Sequence, residues 1–453
     1  MGKHNRSTYS RIIVPVPSME HLDYHHISKA FRHKAQWTDA EPLCFVNEGA
    51  DLYNLSFTSA HAHHLLGRSH YRCEAHELDF EGEPVAGEMG DNLIEANISF
   101  RYPLVRESLS GNTLRRHNRV IILLHGLNER SFSKYLPWAY QMWSGTRVPV
   151  LLFPLTFHVN RVLPAWAKTQ REIYQRRSHL DGNEGAHRFN AVISERLATR
   201  PERFFWGAVQ SYLDLVDLAR TIRSGRHPHF ASDARIDLFG FSAGGYLSLI
   251  LMLEDPEELF KDSRGIVFAS GVPTRDLNLL SPFILDLAAE VAMMRLYVKN
   301  IEGLSSARMR HWFEAHGEGR WLRALSGLRA DRTHLEARLR QVGSRLLGIT
   351  NINDDVMPAG AMLNTLQGLN RDTGVGVAEF EMGVHESPFV CADHNQPPRR
   401  FITEFLDQER YGAVFEKFIE RTVAHFAVPT DSGNTTNWRT RLTDDDSASA
   451  AMN

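Results

Sequence analysis

Short apolar runs alternate with longer amphipathic stretches along the chain from about residue 92 onward. A short apolar run bounded by glycine or polar residues indicates a buried strand, whereas apolar residues three or four positions apart indicate a helix packed by one face. The predicted strands are NLIEANISFRYPL, RVIILLHG, VPVLLFPL, ARIDLFGF, GIVFASG, SRLLGITN and VGVAEFEM. The predicted helices are SFSKYLPWAYQMW, the stretch 203–224, GGYLSLILML, AGAMLNTLQGL and the stretch 399–426. This alternation predicts an α/β fold, with a mostly parallel central sheet and helices on both faces.

Four parts of the chain depart from this alternation. Residues 1–95 are irregular and rich in histidine, so we expect an N-terminal extension before a domain that spans residues 96–427. The stretch 160–200 is polar and rich in arginine, and the stretch 276–340 is helical in pattern. Because both interrupt the series of core elements, we expect helical cap insertions there. The polar tail 428–453 is predicted to be disordered.

The composition excludes several classes of protein. Lys and Arg total 51 against 54 Asp and Glu, which leaves a net charge of -3 and no basic footprint for nucleic acid. The three cysteines form no disulfide framework, so a reducing compartment is expected. The N-terminus lacks the apolar core of a signal peptide, and no apolar run is long enough for a membrane span. These features predict a cytoplasmic protein without a nucleic-acid partner, and they leave its oligomeric state open.

The sequence Gly240-Phe241-Ser242-Ala243-Gly244 joins a predicted strand to a predicted helix. This is the G-x-S-x-G pattern in the context that a nucleophile elbow requires, with small residues around a tight turn that exposes the serine hydroxyl. The following helix directs its N-terminus at the same place, where it favours developing negative charge. An ordinary glycine-rich turn is the alternative interpretation of this pattern.

On these residues the chain resembles α/β-hydrolases of the lipase/esterase type, over about residues 96–427 with interruptions. The sequence LHGLNE at 124–129 resembles the His-Gly motif of that superfamily's oxyanion strand. The longer strings HGLNERSFSKYLPWA and LLFPLTFHVNR are similar to an uncharacterised bacterial branch of it, which implies no substrate. The resemblance implies the α/β-hydrolase fold and backbone oxyanion donors at Leu127 and Ala243.

The resemblance also implies the chain order serine, acid, histidine for a catalytic triad. His385 follows the last predicted strand and is the expected base, with His394 as the alternative. Asp354 precedes Pro358 in NDDVMP, which resembles the superfamily's Asp-x-x-x-Pro acid loop. Its neighbour Asp355 stays open as the acid, although a role in capping the next helix is expected for it.

No metal site or cofactor is predicted. The cluster His61, His63 and His64 lacks the ligands that would complete a closed site at familiar spacing, and the same is true of Cys391 with His394. The chain has no phosphate-binding G-x-x-x-x-G-K-[ST] loop. These histidines are more simply explained as solvated or locally packed side chains.

Residues that follow predicted strands are candidates for the substrate pocket, because loops at the carboxyl ends of parallel strands line such sites. They are Asn128, Glu129, His158 and Arg161. Arg161 is expected either to bind a carboxylate or phosphate of the substrate or to be a salt-bridged surface residue. The stretch from Pro282 to Val298, with Phe283, Leu287, Val291 and Met294, is either an apolar lid over an acyl chain or a helix packed on the core.

Two functions of different class remain. The first is a serine esterase that works through an acyl-enzyme on Ser242, with Asp354 and His385 completing the triad and no cofactor. The same machinery also serves thioester or amide bonds and acyl transfer. The second is a non-catalytic protein of the same fold that binds a ligand or a partner.

Overall fold

A nine-stranded sheet runs through the computed structural model, which describes residues 43–45, 49–85, 89–108, 115–302, 306–327, 329–389 and 408–428. The strands in chain order are β1 (Leu43–Phe45), β2 (Ala50–Thr58), β3 (His70–Cys73), β4 (Leu78–Glu81), β5 (Ser99–Glu107), β6 (His117–Leu124), β7 (Val150–Phe153), β8 (Phe230–Phe241), β9 (Gly265–Phe268), β10 (Leu346–Asn351) and β11 (Gly376–Phe380). Strands β3 and β4 form a separate two-stranded hairpin. The large sheet has the order β1-β2-β5-β7-β6-β8-β9-β10-β11.

Strands β6 to β11 pair in parallel, whereas β5 runs antiparallel to β7, and β2 runs antiparallel to β5. After β6 the chain adds β7 on one side and then crosses to add β8 on the other. Such a reversal opens a crevice at the carboxyl ends of the strands concerned. The fold therefore places a potential binding site where β6, β7 and β8 end.

Twelve α-helices are described. They are α1 (Glu95–Ile98), α2 (Tyr135–Thr146), α3 (Pro164–Ser178), α4 (Ala191–Thr199), α5 (Glu202–Arg223), α6 (Ala243–Glu254), α7 (Leu287–Leu296), α8 (Ala307–Ala315), α9 (Gly317–Leu325), α10 (Arg329–Val342), α11 (Ala359–Leu366) and α12 (Gln408–Ala427). No helix among the described residues combines the length and apolar character needed to cross a membrane.

The core consists of two apolar layers on either side of the sheet. Along β6, Val120 and Ile122 belong to the layer that contains α5 and α6, while Ile121 and Leu123 belong to the layer that contains α2 and α12. Successive side chains of a strand point to opposite faces, so a strand covered on both sides must be apolar throughout. This explains the continuous apolar runs, and it confirms the predicted α/β-hydrolase fold with its mostly parallel sheet.

The predicted boundary at residue 96 is wrong. Strand β2, residues 50–58, lies within the large sheet and pairs with β5 along its whole length, so residues before 96 contribute to the same core. The sequence signal was weak because the last six residues of β2 are partly or fully exposed. The start of the first predicted strand is also corrected, since residues 95–98 form α1 and the strand begins at Ser99.

The two stretches outside the predicted alternation are helical. Helices α3 and α4 occupy the stretch 160–200, and helices α7 to α10 occupy most of the stretch 276–340. A buried ion pair joins them, in which the Arg177 guanidinium donates to both carboxylate oxygens of Asp286 at 2.5 and 2.6 Å. Asp286 also caps α7 by accepting from the Ala289 amide. The predicted tail, from residue 429 onward, lies outside the described residues.

Candidate active site

Ser242 stands between β8 and α6 with φ 53° and ψ -119°, a backbone conformation that non-glycine residues seldom adopt. A side chain at Gly240 would collide with the carbonyl group of Gly244, and a side chain at Gly244 would collide with the backbone of Leu124. The turn thus requires the small residues that the G-x-S-x-G pattern supplies. It directs Ser242 into the crevice at the strand ends.

The structure brings Ser242, His385 and Asp354 into one hydrogen-bonded chain. Ser242 Oγ lies 2.9 Å from His385 Nε2, and His385 Nδ1 lies 2.8 Å from Asp354 Oδ2. All three residues are buried. A carboxylate can only accept, so Nδ1 carries the imidazole proton and Nε2 is left to accept the serine hydroxyl. This is the arrangement in which an imidazole can take a proton from a serine.

Backbone amides fix the orientation of Asp354. Its Oδ1 accepts from the N–H groups of Val356 and Met357 at 2.9 and 2.7 Å, which leaves Oδ2 for His385. Asp355 is exposed and makes no hydrogen bond within the described residues. The expected capping role of Asp355 is wrong, because α11 begins after Pro358 without a side-chain cap.

The loop after β6 is held by His125, a residue without access to solvent. His125 Nε2 accepts from the Leu155 amide at 2.9 Å, so its proton lies on Nδ1, which donates to the carbonyl of Gly126 at 2.8 Å. Burial holds the pKa of His125 well below its usual value, so the ring is uncharged. His125 therefore supports the loop from within the core.

Two backbone amides beside Ser242 have no acceptor among the described residues. The Gly126 amide donates to Tyr135 Oη and the Gly244 amide donates to the carbonyl of His125, whereas those of Leu127 and Ala243 bond to nothing described. Ala243 opens α6, where the first amides of a helix lack partners in their own helix. Both residues line the cavity next to Ser242. Two unpaired donors on either side of a nucleophile can bind a developing oxyanion.

A cavity of about 440 Å³ extends from Ser242 between the two helical insertions. Its walls are mostly apolar and come from α3 and α4 on one side and from α7 to α9 on the other, including Trp166, Ile193, Leu197, Ile284, Met293, Met294, Trp312 and Leu322. The group of described side chains close enough to hold a metal ion, Cys73 with His76, His311 and His316, does not line this cavity.

Three of the four predicted pocket residues line the cavity: Asn128, Glu129 and His158. Asn128 joins the two insertions, since its Nδ2 amide donates to the carbonyls of Phe189 at 2.9 Å and Phe283 at 2.6 Å. The Glu129 carboxylate pairs with Lys134 and accepts from Tyr135 Oη. These contacts make Asn128 and Glu129 supports of the pocket wall.

His158 is the third of these residues, and it is buried. Its Nδ1 donates to the carbonyl of Thr156 at 2.7 Å, whereas its Nε2 is buried without a partner among the described residues. Burial lowers the pKa of His158 to about 4, so the ring is neutral near pH 7 and Nε2 carries a free lone pair. This nitrogen exposes almost no surface, so it is an unpaired acceptor behind the cavity wall and does not face the cavity.

Arg161 does not face the cavity, which corrects its predicted role in gripping an anion. Its guanidinium is fully buried, pairs with Asp214 at 2.9 Å and lies 4.0 Å above the ring of Phe100. The loop after β7 contains two residues with positive φ, Phe157 and Val159, and these turn the chain back toward the core. Spacing from the strand end could not reveal that reversal.

Lys134 is a residue of this site that the sequence analysis missed. Its ammonium group donates to the carbonyl of Glu386, the residue after His385, and pairs with Glu129. It also lies 4.8 Å from the ring centre of Phe241, the residue before Ser242. No motif marks this lysine, which stands one residue before α2, and its contact with Glu386 spans 252 residues of sequence. His394, the alternative base, lies outside the described residues.

The chain belongs to DUF6051, a family of unknown function, which it matches over residues 21–427. None of the curated proteins compared with it matches. Among solved structures it is similar to a variant of the esterase rPPE, at 10% identity over 84% of each chain with a TM-score of 0.42. It is similar to an esterase of Pyrobaculum calidifontis, at 10% identity over 72% of this chain and 81% of that one with a TM-score of 0.40. A thermostable esterase from Pseudomonas putida ECU1011 matches at 10% identity over 84% and 81% with a TM-score of 0.39.

Proposed function

We propose that this member of the DUF6051 family is a serine hydrolase that cleaves esters of apolar acyl groups through an acyl-enzyme on Ser242. The observation that carries the proposal is the buried hydrogen-bonded chain from Ser242 through His385 to Asp354, at the wall of a 440 Å³ cavity. Any one of these residues has a structural explanation by itself. Their alignment, with Ser242 on a strained turn beside two unpaired amides, has no such structural explanation.

In the acylation step Ser242 Oγ attacks the carbonyl carbon of the ester, and its proton passes to His385 Nε2. The resulting imidazolium is stabilised by Asp354, whose Oδ2 already accepts from Nδ1. The tetrahedral intermediate then collapses, and the leaving alkoxide takes the proton from Nε2. Water repeats the sequence in the second half, with His385 as base, and releases the carboxylic acid and free Ser242.

The oxyanion of each tetrahedral intermediate would lie between the amides of Leu127 and Ala243. These two amides need not reorient during the reaction. His125 and Tyr135 hold the loop that contains Leu127, and Ala243 is the first residue of the buried helix α6. Loss of one such donor costs about 3–4 kcal/mol of transition-state stabilisation in enzymes where it has been measured. The positive end of the α6 dipole acts in the same direction.

The lining of the cavity favours an uncharged acyl group. Three arginines contribute to the wall: Arg196 and Arg203 pair with Asp91, and Arg130 donates to the backbone carbonyl of Phe189 at 2.7 Å. An apolar chain gains free energy by leaving water for such a wall, whereas a carboxylate would find its counter-charges already engaged.

A fluorophosphonate probe tests the nucleophile on the folded, full-length chain. We expect one adduct per chain, on Ser242, and none with Ser242→Ala. Ser248→Ala is the matched control, because this buried hydroxyl lies on the same helix and makes no hydrogen bond among the described residues. Failure of the folded wild-type protein to label at Ser242 would overturn the proposal and favour a non-catalytic binding protein.

The bond that is cleaved is tested separately with acyl esters, thioesters and anilides that share the same acyl groups. We expect the highest kcat/KM for an ester whose apolar chain fills part of the cavity. Faster turnover of the thioester or the anilide than of the ester would overturn the choice of bond and leave the acyl-enzyme in place. Transfer to added alcohols in preference to water would identify an acyltransferase.

A further inference from the structure

Cys73, His76, His311 and His316 come together at the junction of the β3–β4 hairpin and helix α8. Their potential ligand atoms all lie within 4.8 Å of one another. Cys73 Sγ lies 3.4 Å from His76 Nδ1 and 3.4 Å from His316 Nε2. Cys73 and His316 are 243 residues apart in the sequence, so no motif links the two halves of this cluster.

Each half of the cluster is presented by a short, defined element. Cys73 ends β3 and His76 lies in the turn to β4, which the His76 amide helps to close by donating to the carbonyl of Cys73. His311 lies in α8, and His316 follows its last residue. The ring of Trp312 stacks on that of His316, with centroids 3.8 Å apart and planes within 4°, which fixes the ring of His316.

Hydrogen bonds among the protein groups do not satisfy this cluster. A thiol can donate to one imidazole and accept from another, which accounts for His76 and His316. His311 Nε2 stays buried without a partner among the described residues. Within the described part of the chain, His311 Nε2 thus lacks a protein partner while it lies beside a thiol and two imidazoles, which are ligand types that zinc binds.

We propose that these four side chains bind one Zn²⁺ ion, with Cys73 as thiolate and His76, His311 and His316 as neutral imidazoles. In tetrahedral sites the Zn–S and Zn–N distances of about 2.3 and 2.0–2.1 Å place sulfur and nitrogen ligands about 3.5 Å apart. Both measured separations of Cys73 Sγ from imidazole nitrogen, 3.4 Å, match that spacing. The widest separation in the cluster, 4.8 Å, exceeds it by about 1 Å, which small rotations of the imidazoles can close.

The ligand set indicates a structural ion. Four protein ligands complete a tetrahedral zinc shell, whereas catalytic zinc keeps one position open for water or substrate. The ion would fasten the hairpin to α8 and to α9, whose Glu318 carries a carboxylate oxygen 3.7 Å from His316 Nδ1. At 3.7 Å this oxygen makes no hydrogen bond to His316, but a small shift would let it accept from the Nδ1–H group of a zinc-bound imidazole. This inference does not depend on the proposed hydrolase activity.

The other histidine cluster provides a contrast. His61 pairs with Asp217 at 2.7 Å, His63 Nδ1 lies 3.0 Å from the carbonyl of Ala60, and His64 Nδ1 lies 2.9 Å from Tyr71 Oη. Each of these rings has a protein partner of its own. The histidines that lie close together in the sequence are therefore not those that form the proposed zinc site. The four-residue group is visible only in the folded chain.

The test is the metal content of untagged, full-length protein purified without a metal-affinity step. We expect about one zinc per chain. In protein reconstituted with Co²⁺ we expect visible d–d absorption of tetrahedral intensity together with a thiolate-to-cobalt charge-transfer band. Folded protein with less than about a tenth of an equivalent of zinc and no cobalt spectrum would overturn the proposal. Stoichiometric copper or iron in place of zinc would overturn the choice of ion.

Single substitutions distinguish zinc binding by these four residues from zinc binding elsewhere on the hairpin. His76→Ala truncates an exposed side chain, so it should fold and bind zinc at least about tenfold more weakly. Cys73→Ser should also remove the charge-transfer band from the cobalt protein. His70→Ala is the matched control, because His70 is exposed on the same hairpin and pairs with Asp79. Equal loss of zinc in His70→Ala and His76→Ala would contradict the assigned ligands.

Discussion

Two places in this molecule bring together side chains that are far apart in the sequence, and they differ in how they do it. Ser242, Asp354 and His385 all follow parallel strands, namely β8, β10 and β11, so the sheet collects them at one edge. Cys73 and His76 lie on a separate hairpin, and His311 and His316 lie in an inserted group of helices. That second meeting results from packing between two elements outside the central sheet.

The difference shows which groups of residues can be predicted from the topology of a sheet. Carboxyl ends of parallel strands meet at a common edge, so finding the strands is enough to group the residues that follow them. No comparable rule connects a hairpin that lies between β2 and β5 in the chain to a helix inserted after β9. The hairpin and the helix are brought together by the apolar cluster of Tyr71, Trp206, Met309 and Trp312 and by Arg308, whose guanidinium lies over the ring of Tyr71.

The largest expected effect is that of Ser242→Ala at the strand-end site. Removal of the hydroxyl should lower kcat on activated esters by about 10⁶-fold, as the loss of a triad nucleophile does in a well-studied protease. The fold should survive, because the change deletes one atom at a cavity wall. Turnover and melting temperature are to be measured together, and retained turnover in a folded variant would contradict the assigned nucleophile.

The next effect distinguishes two neighbouring aspartates. Oδ1 of Asp354 is locked by the amides of Val356 and Met357, so Asp354→Asn must direct its NH₂ group at His385 Nδ1. Two donors cannot face each other, so the ring adopts the tautomer with a proton on Nε2, which cannot accept from Ser242. We expect kcat to fall by about 10³–10⁴-fold.

Asp355→Asn is the matched control for that variant. Its carboxylate is exposed and unbonded within the described residues, so turnover should stay within about twofold and the stability within about 0.5 kcal/mol. Inactivity of Asp355→Asn combined with normal turnover of Asp354→Asn would show that the acid is Asp355. Equal loss in both variants would indicate a disturbed loop.

The same division explains which parts of the structure were predictable. Strands β6, β8 and β10 are buried on both faces and carry continuous apolar runs, so their existence and the residues after them could be found from the sequence. Strand β2 was missed because it is partly exposed, with Asn54 and Ser56 among its residues. Arg161 was misplaced because positive φ at Phe157 and Val159 turns the loop back toward Asp214.

Apart from Ser242, His385 and Asp354, which the resemblance grouped, side-chain partners across elements were not predicted. The contact of Lys134 with Glu386 and the Asn128 bridge between the two insertions join segments whose relative position depends on the packed caps. The sequence offered only the residue types. The Cys73 cluster is the extreme case, since half of it comes from a region that was treated as an extension.

A third, smaller effect concerns the proposed zinc ion and sharpens the contrast between the two places. Its removal by a chelator should lower the melting temperature by a few degrees, because the ion binds the folded chain in preference to the unfolded one. Turnover of a short-chain ester should stay within about twofold, since none of the four ligands lines the cavity. Loss of turnover without a change in melting temperature would instead indicate a catalytic ion.

The smallest expected effect concerns the inserted helix α7, part of the stretch 282–298 that was predicted to be either an apolar lid over an acyl chain, with Leu287 and Val291 among its residues, or a helix packed on the core. The structure places neither residue in the cavity wall, where Met293 and Met294 stand instead. Val291 is 38% exposed, on the outer side of the helix. Of the four apolar residues named from the sequence, only Met294 lines the cavity, because α7 is apolar on more than one side and the pattern does not show which side faces the site.

Met293→Ser should therefore change specificity where Val291→Ser does not. Loss of the Met293 side chain removes apolar contact worth about 1–1.5 kcal/mol to an acyl chain that reaches it, which is about a five- to tenfold fall in kcat/KM for long esters. An acetyl ester bound at Ser242 would not extend to that wall, so its kcat/KM should hardly change. The measurement is therefore the ratio of kcat/KM for a long ester to kcat/KM for a short ester. The two variants are matched, because each introduces a serine and the two positions are two residues apart on one helix. A ratio unchanged by Met293→Ser, or changed equally by Val291→Ser, would mean that α7 does not bound the acyl site. In that case the acyl chain would run along the opposite wall, formed by α3 and α4.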